Sequence, residues 1–262
     1  MKKLAALTVL LCTFHSLAFA QKKFNATRID NHRQQSLASH FAEYSLYNLP
    51  ASDIARFTAT NRGGTSAFEL ELPGLTSWKL RLQEHDLLDP NYTLTVNSNS
   101  ERVIYPKPDC MTYWGSVDGE NNSAVSLTID NNVIYGIIRS NGQEYFIEPM
   151  NYLLPGSSPN IFVVYETRFA QNDGTLSCGL KEMEQRAESF TGRVEAGTTC
   201  QRVQLSIASD ESMFIRYGSA GAVQTHNIGV MNNVIWDYVN AQFNITLEWI
   251  GTWVSCAILP KY

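Results

Sequence analysis

The sequence predicts an α+β chain, a mainly-β domain followed by a partial α/β unit built strand–helix–strand. Three observations lead there. Between Ala124 and Glu148 apolar residues alternate in short runs separated by turn residues, as in half-buried antiparallel strands. Between Ile228 and Phe243 the spacing becomes helical, with Met231, Val234, Ile235 and Tyr238 on one side. Alternating runs flank that helix at Arg202–Ser209 and Ile245–Val254, so the three form a βαβ unit whose strands should be parallel. The expected divisions are an export leader at 1–20, a β-rich domain at 21–170, a linker at 171–199 and the incomplete βαβ portion at 200–262.

Residues 21–37 are polar and read as extended or frayed. Leu37, Phe41, Tyr44, Leu46 and Leu49 fit a short helix or turn. Ile54–Ala59, Ala67–Leu72, Trp78–Leu82 and Tyr92–Val96 read as strands, with Gly, Pro, Asn or Asp nearby. Pro106 and Pro108 break the chain before Cys110. In the meander from Tyr113 to Glu148, Val125, Leu127 and Ile129 alternate, Asp130-Asn131-Asn132 turns the chain and Val133–Ile138 returns. Asn141-Gly142 supplies a two-residue hairpin turn, favoured because both positions need positive φ. Glu144–Ile147 pairs back and Ile161–Tyr165 adds a strand, giving a sandwich or curled sheet. Lys181–Glu188 reads as a short exposed helix in the linker, and Asp210–Thr225 as a loop or short helix.

Lys2-Lys3, the apolar run Leu4–Phe14 and Ala18-Phe19-Ala20 form the three regions of a signal peptide, so the mature chain is expected to begin at Gln21. No later run approaches the length of a spanning helix, and a soluble exported protein is expected. The net charge of −5 comes without a basic block or a Lys/Arg cluster interleaved with aromatics, so nucleic-acid binding has no support. Cys12 leaves with the leader. Cys110, Cys178, Cys200 and Cys256 remain, and in an oxidising compartment they allow three pairings. Cys200 precedes the first strand of the βαβ unit and Cys256 follows the second. In a parallel pair those are opposite ends, about 25–30 Å apart at roughly 3.3 Å per residue, beyond disulfide reach. Asn25, Asn91, Asn121 and Asn244 fit the glycosylation acceptor pattern.

One ordered set of residues carries functional information. It runs Tyr113-x-Gly115, Gly119-x-x-x-Ser123, Ser126, Gly136 and Tyr145-x-Ile147-Glu148-Pro149, followed by the lone thiol Cys178 before Gly179-Leu180. In that order the segments resemble the propeptide of the reprolysin-type (adamalysin-like, metzincin) zinc metallopeptidases. The stretch RVQLSIASDESMFIRYG at 202–218 is similar to the first strand of that family's catalytic domain and the turn after it. The resemblance implies a secreted zinc metalloendopeptidase precursor, with a propeptide that chaperones and inhibits a catalytic domain in cis, or a relative in trans. Zinc is the cofactor it implies for the intact family member, with none bound by this chain alone. It also implies that Cys178 is a cysteine switch, its thiolate taking the zinc position that the attacking water needs. Thiolate is a strong zinc ligand, and Gly179 lets the backbone approach a cleft closely. Leu180 stands where the family usually has Val. The competing reading of Cys178 is a structural disulfide with Cys110, Cys200 or Cys256. Cys110 matches the cysteine of the family's Cys-x-x-Tyr-x-Gly segment, whose partner often lies in the facing strand, where this chain has Ile129 or a neighbour. Cys110–Cys200 is an alternative pair.

A metzincin site needs two histidines one helical turn apart, a glutamate beside the first, and a third histidine beyond a glycine turn. Here His15, His32, His40, His85 and His226 include no two that are four apart, and none is followed by Glu. No peptidase activity is expected of this chain, and Tyr262 is expected to mark truncation before the zinc motif. An incomplete catalytic domain would leave open sheet edges and exposed apolar helix surface after Cys200. Glu148 reads as a strand-end carboxylate whose following Pro149 stops the ladder. Asp118, Glu120 and Asp130 read as turn residues rather than calcium ligands, and Trp236, Trp249 and Trp253 as core. The rival function is a non-enzymatic secreted β-domain that binds protein or glycan, or a free-standing protease inhibitor.

Overall fold

The computed structural model describes residues 22–29, 35–98, 101–171, 201–240 and 245–255, with backbone alone for 35, 201–203, 240 and 245–255. The meander forms as its alternation predicts. β8 (Thr112–Val117), β9 (Ala124–Asp130), β10 (Val133–Ser140) and β11 (Gln143–Pro149) are successive antiparallel neighbours. Asn141 and Gly142 both take positive φ, 51° and 77°, as the tight turn requires. β5 (Thr76–Glu84) and β4 (Thr65–Leu72) extend the sheet beyond β8, and β12 (Ile161–Glu166) and β3 (Ser45–Asn48) extend it beyond β11.

The N-terminal stretch is ordered sheet. β1 (Lys22–Asn25) pairs with β4 at one edge of the sheet, and β2 (Thr27–Ile29) pairs with β3 at the other. Only Ala26 separates them, and its N–H donates to the Glu71 carbonyl at 2.9 Å. The ten-stranded sheet therefore curls until its two edges meet, and is nearly a barrel. Inside lie Phe24, Tyr47, Phe68, Leu70, Trp78, Leu80, Leu82, Val125, Leu127, Ile147, Phe162 and Val164, all buried.

The run Ile54–Ala59 is corrected from strand to helix. It belongs to α2 (Ala51–Thr60), whose buried residues Ala51, Ile54 and Thr58 fall on one helical face. Over six residues the two periods are hard to tell apart. Pro50 at the N-cap and Asp53 in the first turn favour the helix, the latter by facing its positive end. Phe57 from α2 packs edge-on against Phe24 and Phe68, at 5.8 and 5.9 Å. Among the described residues nearer the N-terminus the only helix is α1 (Gln35–Ala38), and Leu46 belongs to β3. α3 (Met150–Leu153), unforeseen in the sequence, follows Pro149 directly.

A second sheet is assembled from distant parts of the chain, in the order β13 (Gln201–Ser209), β14 (Ile245–Ser255), β6 (Leu88–Asn97), β7 (Arg102–Pro106). β13 and β14 are parallel, as expected, and β6 adds to β14 in parallel. Pro106 ends the edge strand β7 before Cys110. This sheet draws on residues from both sides of the 171–199 stretch, so that stretch does not divide one sheet from another. It also corrects in part the expectation of open sheet edges, because β6 covers one edge of β14 while β13 remains an edge strand.

Between the parallel strands run α4 (Glu211–Tyr217) and α5 (Ala220–Asn240). Asp210 caps α4 by accepting from the Met213 N–H at 3.2 Å, and Gly218 ends it at φ 83°. Ser219 accepts from the Ala222 N–H at 3.1 Å, which starts α5 at Ala220 rather than at Ile228. α5 lies between the two sheets and is buried on both sides. Val223, Ile228, Met231 and Ile235 pack with Leu88, Tyr92 and Leu94 of the four-stranded sheet. Asn232 and Asn233 face the barrel. The expected exposed apolar helix face is therefore largely covered. No helix among the described residues is long and apolar enough to cross a membrane.

Candidate functional site

Most of the motif residues build the meander. Tyr113 is buried on β8. A Cβ on Gly115 would sit 1.9 Å from the Arg81 carbonyl oxygen, so neighbouring β5 leaves room only for hydrogen. Gly136 takes φ 148°, and a Cβ there would meet the Ser126 carbonyl oxygen at 2.1 Å. Gly119 turns the chain between β8 and β9 at φ 85°. Ser123 closes the same connection, accepting from the Val117 N–H at 2.9 Å with the Val117 and Glu120 carbonyls each 3.1 Å from its hydroxyl. Glu120 grips the next hairpin, accepting from Ser140 Oγ at 2.8 Å and Asn141 N–H at 3.0 Å. Tyr145 packs edge-on against Trp78 at 5.2 Å.

Cys178, Cys200 and Cys256, the switch segment and any disulfide they form lie outside the described residues. The observed register runs from Gln201 beside Ile245 to Ser209 beside Val254, the parallel arrangement on which the distance argument against a Cys200–Cys256 pair rests. Cys110 is described and is a free thiol there, half-buried, donating to the Thr112 carbonyl at 3.4 Å. Burial pushes its pKa up, which keeps it protonated and poorly nucleophilic. It lines a groove of about 890 Å³ between α2, the β9–β10 turn and the start of α5, together with Arg62, Asp109 and Gln224.

A cluster of buried ionisable side chains forms around Glu148. Its neighbour Ile147 faces the barrel interior, so alternation turns Glu148 outward. There it is only 8% exposed, with Tyr165 of β12 and Arg216 of α4 beside it. The expected ladder stop is only half right. Pairing with β10 ends at Ile147, but pairing with β12 continues through Pro149 opposite Phe162. Tyr165 Oη donates to Glu148 Oε1 at 3.1 Å. Burial drives the carboxyl pKa up to about 7, with the Tyr165 hydrogen bond and the Arg216 charge opposing it only in part.

His226 on α5 completes the cluster. Its ring stacks on Tyr217 of α4 at 4.4 Å and meets the rings of Tyr152 and Tyr135 at 5.1 and 5.9 Å. Nε2 lies 3.1 Å from Tyr217 Oη, and Nδ1 is buried with no partner among the described residues. Burial, with a smaller contribution from the Arg216 charge, lowers the imidazole pKa to about 4. Arg216 itself donates from Nε and Nη2 to the Tyr152 carbonyl at 3.2 and 2.5 Å, which ties α4 to α3. Gly229, one turn along α5, lets the helix close on the Tyr135 ring, since a Cβ there would be 2.7 Å from it. Burial also raises Tyr135, Tyr152 and Tyr165 above the ordinary phenol range.

No group of three His, Cys, Asp or Glu side chains converges to hold a metal among the described residues. The cluster can hold and pass protons, but offers no metal-ligand set. Sequence reasoning found Glu148 and Tyr145 through their motif, weighed His226 only as a histidine without metal-site spacing, and passed over Tyr135, Tyr152, Arg216 and Tyr217. The stretch at 202–218 did include Arg216 and Tyr217, but nothing in one dimension joins them to Glu148. No family model matches the chain.

Proposed function

We propose that this chain is the exported latency portion of a reprolysin-type zinc metallopeptidase. In this reading the barrel is the propeptide, β13–α5–β14 is the opening unit of the catalytic domain, and Cys178 holds the zinc of that domain inactive. The observation that supports it best is the way the barrel half of the chain grips the βαβ unit. β6 adds a parallel strand to β14, and α5 lies along β8–β10 through specific hydrogen bonds. A propeptide that templates and restrains a catalytic domain needs contacts of that extent and direction. The described residues do not form a zinc site, so no catalytic step is assigned to them. Zinc and its ligands would belong to the restrained metallopeptidase domain, in cis or on a separate chain.

The test is inhibition in trans. The purified chain is added to a zinc-loaded reprolysin-type catalytic domain that is hydrolysing a fluorogenic peptide. Wild type should inhibit, and Cys178→Ala should weaken inhibition about tenfold or more, because a direct zinc ligand is lost. Equal inhibition by both proteins, or none by wild type, overturns the reading and favours a non-enzymatic binding domain.

A further inference from the structure

The seam between the barrel and the helical layer buries two groups that are normally charged at opposite signs. Every element around it presents polar or ionisable side chains: Asp130 of β9, Tyr135 of β10, Glu148 of β11, Tyr152 of α3, Tyr165 of β12, Arg216 and Tyr217 of α4, and His226 of α5. Yet among the described residues neither Glu148 nor His226 forms an ion pair. Glu148 accepts one phenol hydrogen bond, and Arg216, whose Nε and Nη2 donate to the Tyr152 carbonyl, reaches it only as a nearby charge that offsets its burial in part. An imidazolium at 226 would be buried with Nδ1 unpaired among the described residues and Arg216 adding repulsion. An unpaired charge in such a place is expensive, and groups so placed neutralise instead.

We propose that closing the helical layer onto the barrel moves one proton within the molecule, from His226 when the seam is open to Glu148 when it is shut. The balance is simple. The open seam holds an imidazolium and a carboxylate, both in water. The closed seam holds a neutral imidazole and a carboxylic acid. One N–H bond is lost, one O–H bond is made, and solvent gains or supplies no proton. Closure is therefore nearly independent of pH in mildly acid solution, although it buries two titratable groups. The inference does not depend on Cys178 or zinc, so it can fail while the functional reading stands, and the reverse.

The directions of the two shifts support it. Glu148 rises from 4.5 to about 7, so its contribution to stability is full below 4.5 and is lost as pH climbs through 7. His226 falls from 6.5 to about 4, so its contribution is full above 6.5 and is lost as pH drops through 4. Between those limits the two slopes oppose each other.

The test is urea unfolding of the full chain at pH 7 and pH 5, as wild type, Glu148→Gln, His226→Gln and the double variant. Relative to the double variant, Glu148→Gln should lose roughly 30-fold in its folding constant on going to pH 5. His226→Gln should gain a similar factor, and wild type should change little. Parallel pH responses in the two single variants would overturn the proposal. Should a variant not fold, ¹⁵N and ¹³C spectra of wild type at pH 6 decide the matter. A neutral His226 ring with a protonated Glu148 carboxyl is expected, and an imidazolium or a carboxylate at either position rules it out.

Discussion

β9 serves two regions of the molecule that are held together differently. Val125, Leu127 and Ile129 point into the barrel among Phe68, Trp78 and Leu80, an interior without polar groups on that strand face. One residue out of phase, Ser126 and Thr128 are just as inaccessible, each 0% exposed, but they face α5. There Ser126 Oγ donates to Asn233 Oδ1 at 3.1 Å, Trp114 Nε1 donates to Asn232 Oδ1 at 2.8 Å, and Asn232 Nδ2 donates to Thr128 Oγ1 at 3.4 Å. Apolar packing tolerates small shifts, because its energy is non-directional. Buried amides and hydroxyls do not, since each displaced partner leaves a desolvated group unpaired. The interior thus supplies stability, while the seam fixes where the helix sits. A surface that restrains one particular partner element is better built the second way.

The largest expected effect is in the interior. Trp78→Ala would remove a ring at 1% exposure that braces Tyr145, and should cost about 3–5 kcal/mol. The loss should appear in urea unfolding as an earlier midpoint for the barrel and the helical layer alike, since β9 and β10 support both. A barrel that unfolds early while α5 stays protected from hydrogen exchange would reverse that dependence.

A smaller effect with a different footprint is expected at the seam. Asn232→Leu would strand the Trp114 N–H and the Thr128 hydroxyl, at about 1–3 kcal/mol. Amide exchange should quicken along α5 more than in β4 and β5. Uniform quickening would mean that the two regions open as one cooperative unit and the distinction between them is only chemical.

What the sequence made legible follows the same division. The strands of the meander were readable because alternation over seven or eight residues and an Asn141-Gly142 turn are local signals. The parallel β13–β14 pair was readable because a helix of α5's length between two strands leaves little choice. Barrel closure was not, since β1 and β2 are only four and three residues long and β1 pairs with β4, well beyond the neighbouring strand β3. The pairing of β6 with β14 joins residues more than 150 positions apart, and nothing in the local pattern announces it. Ser126 and Thr128 looked like the solvent face of an amphipathic strand. Only α5, packed over them, turns that face into an interface. The Glu148–His226 cluster was hidden for the same reason, as its members come from seven separate elements.

The smallest effect probes the connection that sets the strands of both regions in register. Ser123 sits between β8 and β9, outside the barrel interior and away from α5. Its hydroxyl takes the Val117 N–H and returns a hydrogen bond to the carbonyl of Val117 or Glu120. Water can reach this half-buried turn, so Ser123→Ala should cost only about 0.5–1.5 kcal/mol. The cost should fall on β8 and β9 together, since both the inward residues such as Leu127 and the outward ones such as Ser126 depend on their register. Hydrogen exchange should then quicken at Tyr113–Gly115 and Val125–Leu127 in equal measure, with α5 following only slightly. Loosening confined to α5 would show that the turn positions the outer face of β9 alone, and that the register of the interior is fixed by packing without it.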